Sequence, residues 1–172
     1  MSGWRQARAI VLLPGSVTLV VPALILIFGP GPNLGWGLDG APGVLVALLG
    51  VALVAVGFAM WMWTVRLFQR IGRGTLAPWD PTSKLVVEGP YSRVRNPMIS
   101  AVVTLLVGQA LFFGSLGILA WAALFLAVNH VFFVLAEEPG LERRFGDEYR
   151  AYKAAVPRWL PRRTLWHPGR LP

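Results

Sequence analysis

The sequence predicts an all-α integral membrane protein: four transmembrane helices, the last two a C-terminal helical hairpin, with cytoplasmic segments forming the site. Three observations carry this. The 172 residues are 55% hydrophobic and only 14% charged, where soluble domains carry nearer a quarter. Three stretches, Ala9–Asn33, Ala41–Val65 and Met98–Ala136, contain no Lys, Arg, Asp or Glu, and about 20 apolar residues in a helix cross a hydrocarbon core of about 30 Å. Finally, all sixteen Lys and Arg residues fall on one side of a four-span arrangement.

The first helix is expected over about 9–28, with Pro14 and Pro22 inside it; membrane helices tolerate such prolines and bend at them. Arg5 and Arg8 imitate the start of a signal peptide. The apolar run that follows is longer than an ordinary signal core and no small-residue cleavage site ends it, so the helix is expected to be retained. "GPGPNLGWGLDGAPG" reads as a turn-rich loop, with Trp36 suited to a membrane interface. The second helix, about 42–67, closes on an aromatic belt, "MWMWTVRLF". The third apolar run is too long for one span. "FGSLG", Phe113–Gly117, divides it into helices over about 97–113 and 116–136. The third helix is short, so it tilts little or begins in the headgroup zone. The chain reads as a single membrane domain, 1–172, with a loop over 68–96 and a C-terminal segment over 137–172.

Basic residues set the orientation. Arg5 and Arg8 precede the first helix; Arg66, Arg70, Arg73, Lys84, Arg93 and Arg95 lie between the second and third; the remainder follow the fourth. The opposite loops contain only Asp39. By the positive-inside rule both termini and the 66–97 loop are cytoplasmic. The +8 net charge then belongs to the bilayer, the expected partner, and not to nucleic acid. Only Lys84 and Lys153 are lysines, an arginine bias that points to a GC-rich bacterial genome and a bacterial inner membrane. The sequence does not specify the oligomeric state.

The absence of cysteine excludes disulfides, thiol nucleophiles and thiolate metal sites. His130 and His167 have no metal-ligand spacing, and no metal is expected. Polar chemistry concentrates in two segments flanking the hairpin, 72–98 and 137–163. The hairpin brings their inner ends together: Arg95 and Asn96 before its first helix, Glu137 and Glu138 after its second. Structural roles compete for each residue. Arg93 and Arg95 suit snorkelling anchors. Asn96-Pro97 suits an N-cap followed by a first-turn proline. Glu138-Pro139 suits the start of another helix, with Glu142, Glu148, Lys153 and the arginines on its solvated face, and Tyr91, Tyr149, Tyr152 and Trp159 suit belt positions. The adjacent carboxylates are the exception. At the C-terminal end of a helix they oppose its dipole, so Glu137 needs a cationic partner, either Arg95 or a cationic ligand.

These residues resemble the isoprenylcysteine carboxyl methyltransferase family, related to the membrane phospholipid N-methyltransferases. The resemblance lies in "GPYSRVRNPMISA", "EEPGL", "FGDEY" and "AYKAAVPRWLP", in order and with the family's spacing over Gly72–Pro161; "GRGTLAPWDP" is similar to the bacterial branch. It implies an S-adenosylmethionine-dependent methyltransferase whose cofactor lies in a cytoplasm-facing pocket, with a lipophilic acceptor arriving laterally from the lipid. By position, Ser83, Lys84, Leu85, Val86 and Tyr91 line the cofactor. Arg95, Asn96, Pro97, Met98 and Ile99 border it, Glu137 accepts hydrogen bonds from it, and Glu138 supports. No catalytic residue is implied beyond those that position the cofactor.

The implied acceptors are a prenylcysteine-type carboxylate or a phospholipid amine. This sequence departs from the family pattern at Ile99 (usually Tyr), Ala101 (usually Gly), Asn96 (often His) and Phe133, where eukaryotic members place an Arg. The alternatives are a degenerate member that binds lipid without catalysis, and a small membrane reductase with a similar hairpin. No nicotinamide-binding feature supports the latter.

Overall fold

The computed structural model describes residues 11–67, 70–71 and 84–167; the expected cofactor residue Ser83 lies outside them. The described residues are helical and contain no strand. α1 has a π-turned half, Val11–Val20, and an α-helical half, Val21–Phe28. α2 is Ala41–Leu67, α3 Pro97–Phe113, α4 Leu116–Phe132, α5 Glu138–Phe145 and α6 Asp147–Ala155. A π turn, Phe133–Glu137, joins α4 to α5 without interruption. Among the described residues two helices, Ala41–Leu67 and Leu116–Phe145, are long and apolar enough to cross a bilayer; Gly15–Phe28 and Pro97–Phe113 are apolar but shorter.

The widened turns of α1 have a local cause in Pro22. Proline has no N–H for the carbonyl four or five residues back, which here is Thr18 or Val17. Side chains of two other helices donate at these positions: Gln109 Nε2 to the Thr18 carbonyl at 2.9 Å and Trp121 Nε1 to the Val17 carbonyl at 3.0 Å. Carbonyls at membrane depth must find protein partners, so the proline keys α1 to α3 and α4.

α2 and α3 meet backbone to backbone. The buried residues of α2 include Gly43, Gly50, Gly57 and Thr64, spaced by sevens along one stripe. A Cβ on Gly57 would sit 2.8 Å from both the Ala101 carbonyl oxygen and the Leu105 nitrogen, and one on Gly108 would sit 2.7 Å from the Gly50 carbonyl oxygen. Small residues allow such approach between membrane helices, where packing and not water exclusion drives association. Ala101, fully buried here, stands where the family usually has glycine, and Gly57 on the facing helix provides the clearance.

The α3–α4 turn is as short as its sequence requires. Gly114 closes α3 in the left-handed conformation (φ 58°), the αL helix ending for which glycine is suited. Ser115 caps α4, its hydroxyl accepting from Ile118 N–H at 3.3 Å. The expectation that the carboxylate pair sits at a helix C-terminus fails at this level: the helix that α4 begins does not end before Glu137. The π turn passes the Glu-Glu-Pro sequence, with the Glu138 N–H bonded to the Phe133 carbonyl, and the helix runs on to Phe145. Glu137 therefore does not sit against a terminal dipole.

Candidate functional site

The site is assembled on a small cap that α5, α6, the 84–96 segment and the C-terminal tail build against the hairpin. Its apolar centre is Val87, Tyr149, Tyr152 and Val156, flanked by Leu85, Leu141, Phe145 and Trp166. Gly89 (φ 59°) opens a tight turn, Gly89–Ser92. The Ser92 hydroxyl donates back to the Gly89 carbonyl at 2.7 Å. Tyr152 spans the cap, its hydroxyl donating to the Tyr91 carbonyl at 2.7 Å. The tail is laced along residues 92–95 by three backbone bonds: Arg95 N–H to Pro157, Arg162 N–H to Arg93 and Trp166 N–H to Ser92, at 2.9, 3.0 and 3.0 Å.

Glu138 is the electrostatic hub. One of its oxygens accepts from Arg95 Nη1 at 2.8 Å and from Arg158 Nε at 2.7 Å, and the other lies 3.4 Å from Lys153 Nζ. The carboxylate is 7% exposed and the two guanidiniums 11% and 22%. Three segments thus converge on one buried acid: the chain before α3, α6 and the tail. The hydrogen bond to Glu138 also raises the Arg158 pKa above its ordinary value.

Glu137, next in sequence, is half-buried and makes no ion pair among the described residues. Of the two partners open to Glu137, Arg95 or a cationic ligand, Arg95 pairs instead with Glu138. Adjacent helical residues point about 100° apart, and the face toward Arg95 and the tail is that of Glu138.

The other expected residues divide. Tyr91 and Val86 are buried, and Pro97 is fully enclosed at the first position of α3. Leu85 packs on the aromatic centre; Met98 and Ile99 are half-buried and Lys84 is exposed. Asn96 occupies the N-cap position, but its side chain makes no cap hydrogen bond. Its carbonyl accepts the first helical bond, from the Ser100 N–H, and also the Ser100 hydroxyl, both at 3.1 Å. The Arg95 Nε is buried without a hydrogen-bond partner.

All three tyrosines of the chain lie in this cap, with raised pKa values. Burial pushes Tyr149 up to about 12, helped by the Glu138 charge and partly offset by Arg95. Burial likewise raises Tyr152, with Tyr149 adding to it. Tyr91 is raised well above its usual value by burial, by Tyr152 and by the nearby Glu137.

A solvated helix face is the structural role open to Lys153 and the arginines after Glu138. Arg158 and Lys153 instead complete the Glu138 cluster. The signal was present in "AYKAAVPRWLP", where Arg158 sits in the Val-Pro-Arg element.

The described residues are helical and strongly apolar, and their polar groups gather where a helix hairpin meets a cap. A family model for phospholipid methyltransferase matches residues 45–148, more than half the chain, and the protein belongs to that family of membrane methyltransferases. The match covers most of α2, the hairpin and both carboxylates. An uncharacterized protein of Haemophilus influenzae (strain ATCC 51907 / DSM 11121 / KW20 / Rd) is 40% identical over 65 residues, which is 37% of this chain and 100% of that protein.

Proposed function

We propose that the protein is an S-adenosylmethionine-dependent methyltransferase with four membrane spans and both termini cytoplasmic, acting at the cytoplasmic face on a lipophilic acceptor. That acceptor is a prenylcysteine-type carboxylate or a phospholipid amine. One observation supports this most: among the described residues three cations gather on Glu138 and none pairs with Glu137. A half-buried carboxylate left unpaired beside such a cluster is an acceptor held open for a ligand that brings its own donors or positive charge.

The neighbouring groups fit the cofactor. Glu137 suits a ribose diol or an α-ammonium, through the charge-assisted bonds that are the strong ones. The spare Arg95 Nε–H suits a carboxylate, and the Asn96 amide, not used for capping, offers donor and acceptor together. The cofactor supplies an electrophilic methyl on a sulfonium, and alignment with exclusion of water is the protein's share. Glu137, Arg95 and Asn96 would bind and orient it. Tyr91, Val86 and Pro97, all buried, would close the site to solvent. A carboxylate acceptor needs no base, and an amine can release its proton to solvent or to a headgroup phosphate, so the absence of an assigned catalytic His or Cys is consistent with this chemistry.

Isothermal titration of the purified protein with S-adenosylhomocysteine tests the reading. Saturable binding is expected, weakened about tenfold or more by Glu137→Gln, because a hydrogen bond to a charged group contributes roughly 1.5–3 kcal/mol. Absence of binding by the unaltered protein would overturn it.

A further inference from the structure

The lipid-facing side of the α4 end carries a polar pair that the cofactor reading does not use. Trp159 Nε1–H donates to His130 Nδ1 at 3.0 Å. The Trp159 ring lies 5.8 Å from that of Phe133 and 6.1 Å from that of His130. Trp159 is not a loosely placed belt residue. Arg158 before it is bonded to Glu138 at 2.7 Å, while Leu160 after it is 81% exposed. Residues 158–160 thus pass from the buried ion cluster, across the face of α4, to the surface. Along that helix His130 lies about 10 Å before Glu137, seven residues at 1.5 Å each.

With Nδ1 accepting from Trp159, a neutral His130 ring carries its proton on Nε2, and which nitrogen bears the proton is set by this bond. On the helix, the exposed residues beside His130 are Val131, next to it, and Val134, one turn further on, an apolar surface suited to hydrocarbon. A donor held among such groups is costly unless it meets an acceptor. We propose that His130 and Trp159 form a lipid-headgroup subsite in which His130 Nε2–H donates to a phosphate oxygen of a phospholipid, positioning that lipid for the Glu137 site. Phe133 and Trp159 wall the subsite. His130 is then a specificity-determining residue that selects acceptors bearing a phosphate one headgroup length from the reacting atom. This rests on the reading of Glu137 as a cofactor ligand.

The test uses the full chain in alkyl maltoside micelles with ¹⁵N-labelled histidine imidazoles. His130 and His167 are the two histidines present, so the spectrum is simple. Titration with dihexanoylphosphatidylethanolamine should shift the His130 Nε2 resonance saturably and leave His167 in place. His130→Phe, which keeps a ring and loses the donor, should raise the apparent Kd, read from Trp fluorescence, about tenfold or more. His130→Gln, whose carboxamide still donates, should recover part of the loss. S-adenosylhomocysteine affinity should be the same in both variants. An unmoved His130 resonance would overturn the proposal even if the variants failed to fold. An equal response to inorganic phosphate, or to dihexanoylglycerol, which has no phosphate, would also overturn it. Absence of S-adenosylhomocysteine binding by the unaltered protein would instead strike the cofactor reading, while the lipid titration is judged independently.

Discussion

Neutralising Glu138 should unfold the cap before it affects any chemistry. Glu138→Gln preserves shape and one acceptor but removes the charge that Arg95 and Arg158 share at 2.8 and 2.7 Å on a single oxygen. Both guanidiniums are largely buried, so the variant leaves two close cations without a counter-charge. Breaking a buried pair by removing one partner costs about 3–5 kcal/mol. The Lys153 contribution is smaller, because that ammonium is 36% exposed at 3.4 Å and water screens it. The retained amide oxygen keeps the total near the lower bound, about 3 kcal/mol. For a chain of this size each kcal/mol moves the midpoint by about 2–4 °C, so a loss of about 6–12 °C is expected.

Differential scanning fluorimetry of the detergent-solubilised protein, without ligand, measures this directly. Glu137→Gln under the same conditions should leave the midpoint nearly unchanged and should lower S-adenosylhomocysteine affinity more than Glu138→Gln does. Adding Arg158→Met to Glu138→Gln should recover part of the loss, since it removes one of the stranded cations. Residues in one ion network are not additive. A Glu138→Gln protein that melts with the parent, beside a destabilised Glu137→Gln, would refute the assignment of the two acids.

Three further outcomes follow from the packing. All three tyrosines have raised pKa values, so the folded state holds their protons more tightly than the unfolded chain; the stability they contribute is complete below pH about 10 and is lost as pH rises toward about 12, and absorbance at 295 nm should show no tyrosinate step near pH 10 before unfolding. Gly57→Ala places a Cβ 2.8 Å from backbone atoms of Ala101 and Leu105, and forcing α2 from α3 should cost about 1–3 kcal/mol by the usual penalty for overpacking, read as a lower melting midpoint. A cysteine at Thr164 in this cysteine-free chain should react only with cytoplasmic maleimide and one at Asn33, exposed in the α1–α2 loop, only from outside; labelling of Thr164 from outside would refute the four-span topology.

Much of the helix pattern was legible because apolar runs and turn residues are local signals. Pro97 starts α3, and Gly114 and Ser115 make the hairpin, each near where composition alone puts it. The π turns were not legible. They depend on how Pro22 and Pro139 are accommodated, and a proline in sequence does not say whether a helix breaks, kinks or widens. The stripe of Gly43, Gly50 and Gly57 was visible as residues but not as an interface, since its meaning requires knowing that α3 presents Ala101 and Gly108 to it. In the candidate site, convergence of Arg95 with the carboxylate pair followed from hairpin geometry. The choice of carboxylate did not, because it depends on helix phase and on a tail more than a dozen residues downstream.

That phase gives the pair its logic. Two acids in succession on a continuous helix cannot face the same partner, since each residue turns the side chain by about 100°. Had the helix ended at Ala136, both carboxylates would have sat in flexible chain and shared the available arginines. The π turn before them carries the helix past Pro139 and fixes their directions relative to the cap. Glu138 then faces Arg95, Lys153 and Arg158 and ties the chain before α3 to the tail. Glu137 is turned out of that cluster while remaining close enough to Tyr91 to raise its pKa. A single acid could close the cap or serve a ligand, but closing the cap would consume its charge. With two, the cap closes on one carboxylate and the other keeps its acceptors. If this is the reason for the pair, moving the hub should be fatal where duplicating it is not: Glu138→Ala should collapse the cap and bind no S-adenosylhomocysteine, whereas Glu137→Ala should melt near the parent midpoint and lose only the ligand. A Glu137→Ala protein that keeps full affinity would show that the second carboxylate has no ligand to hold.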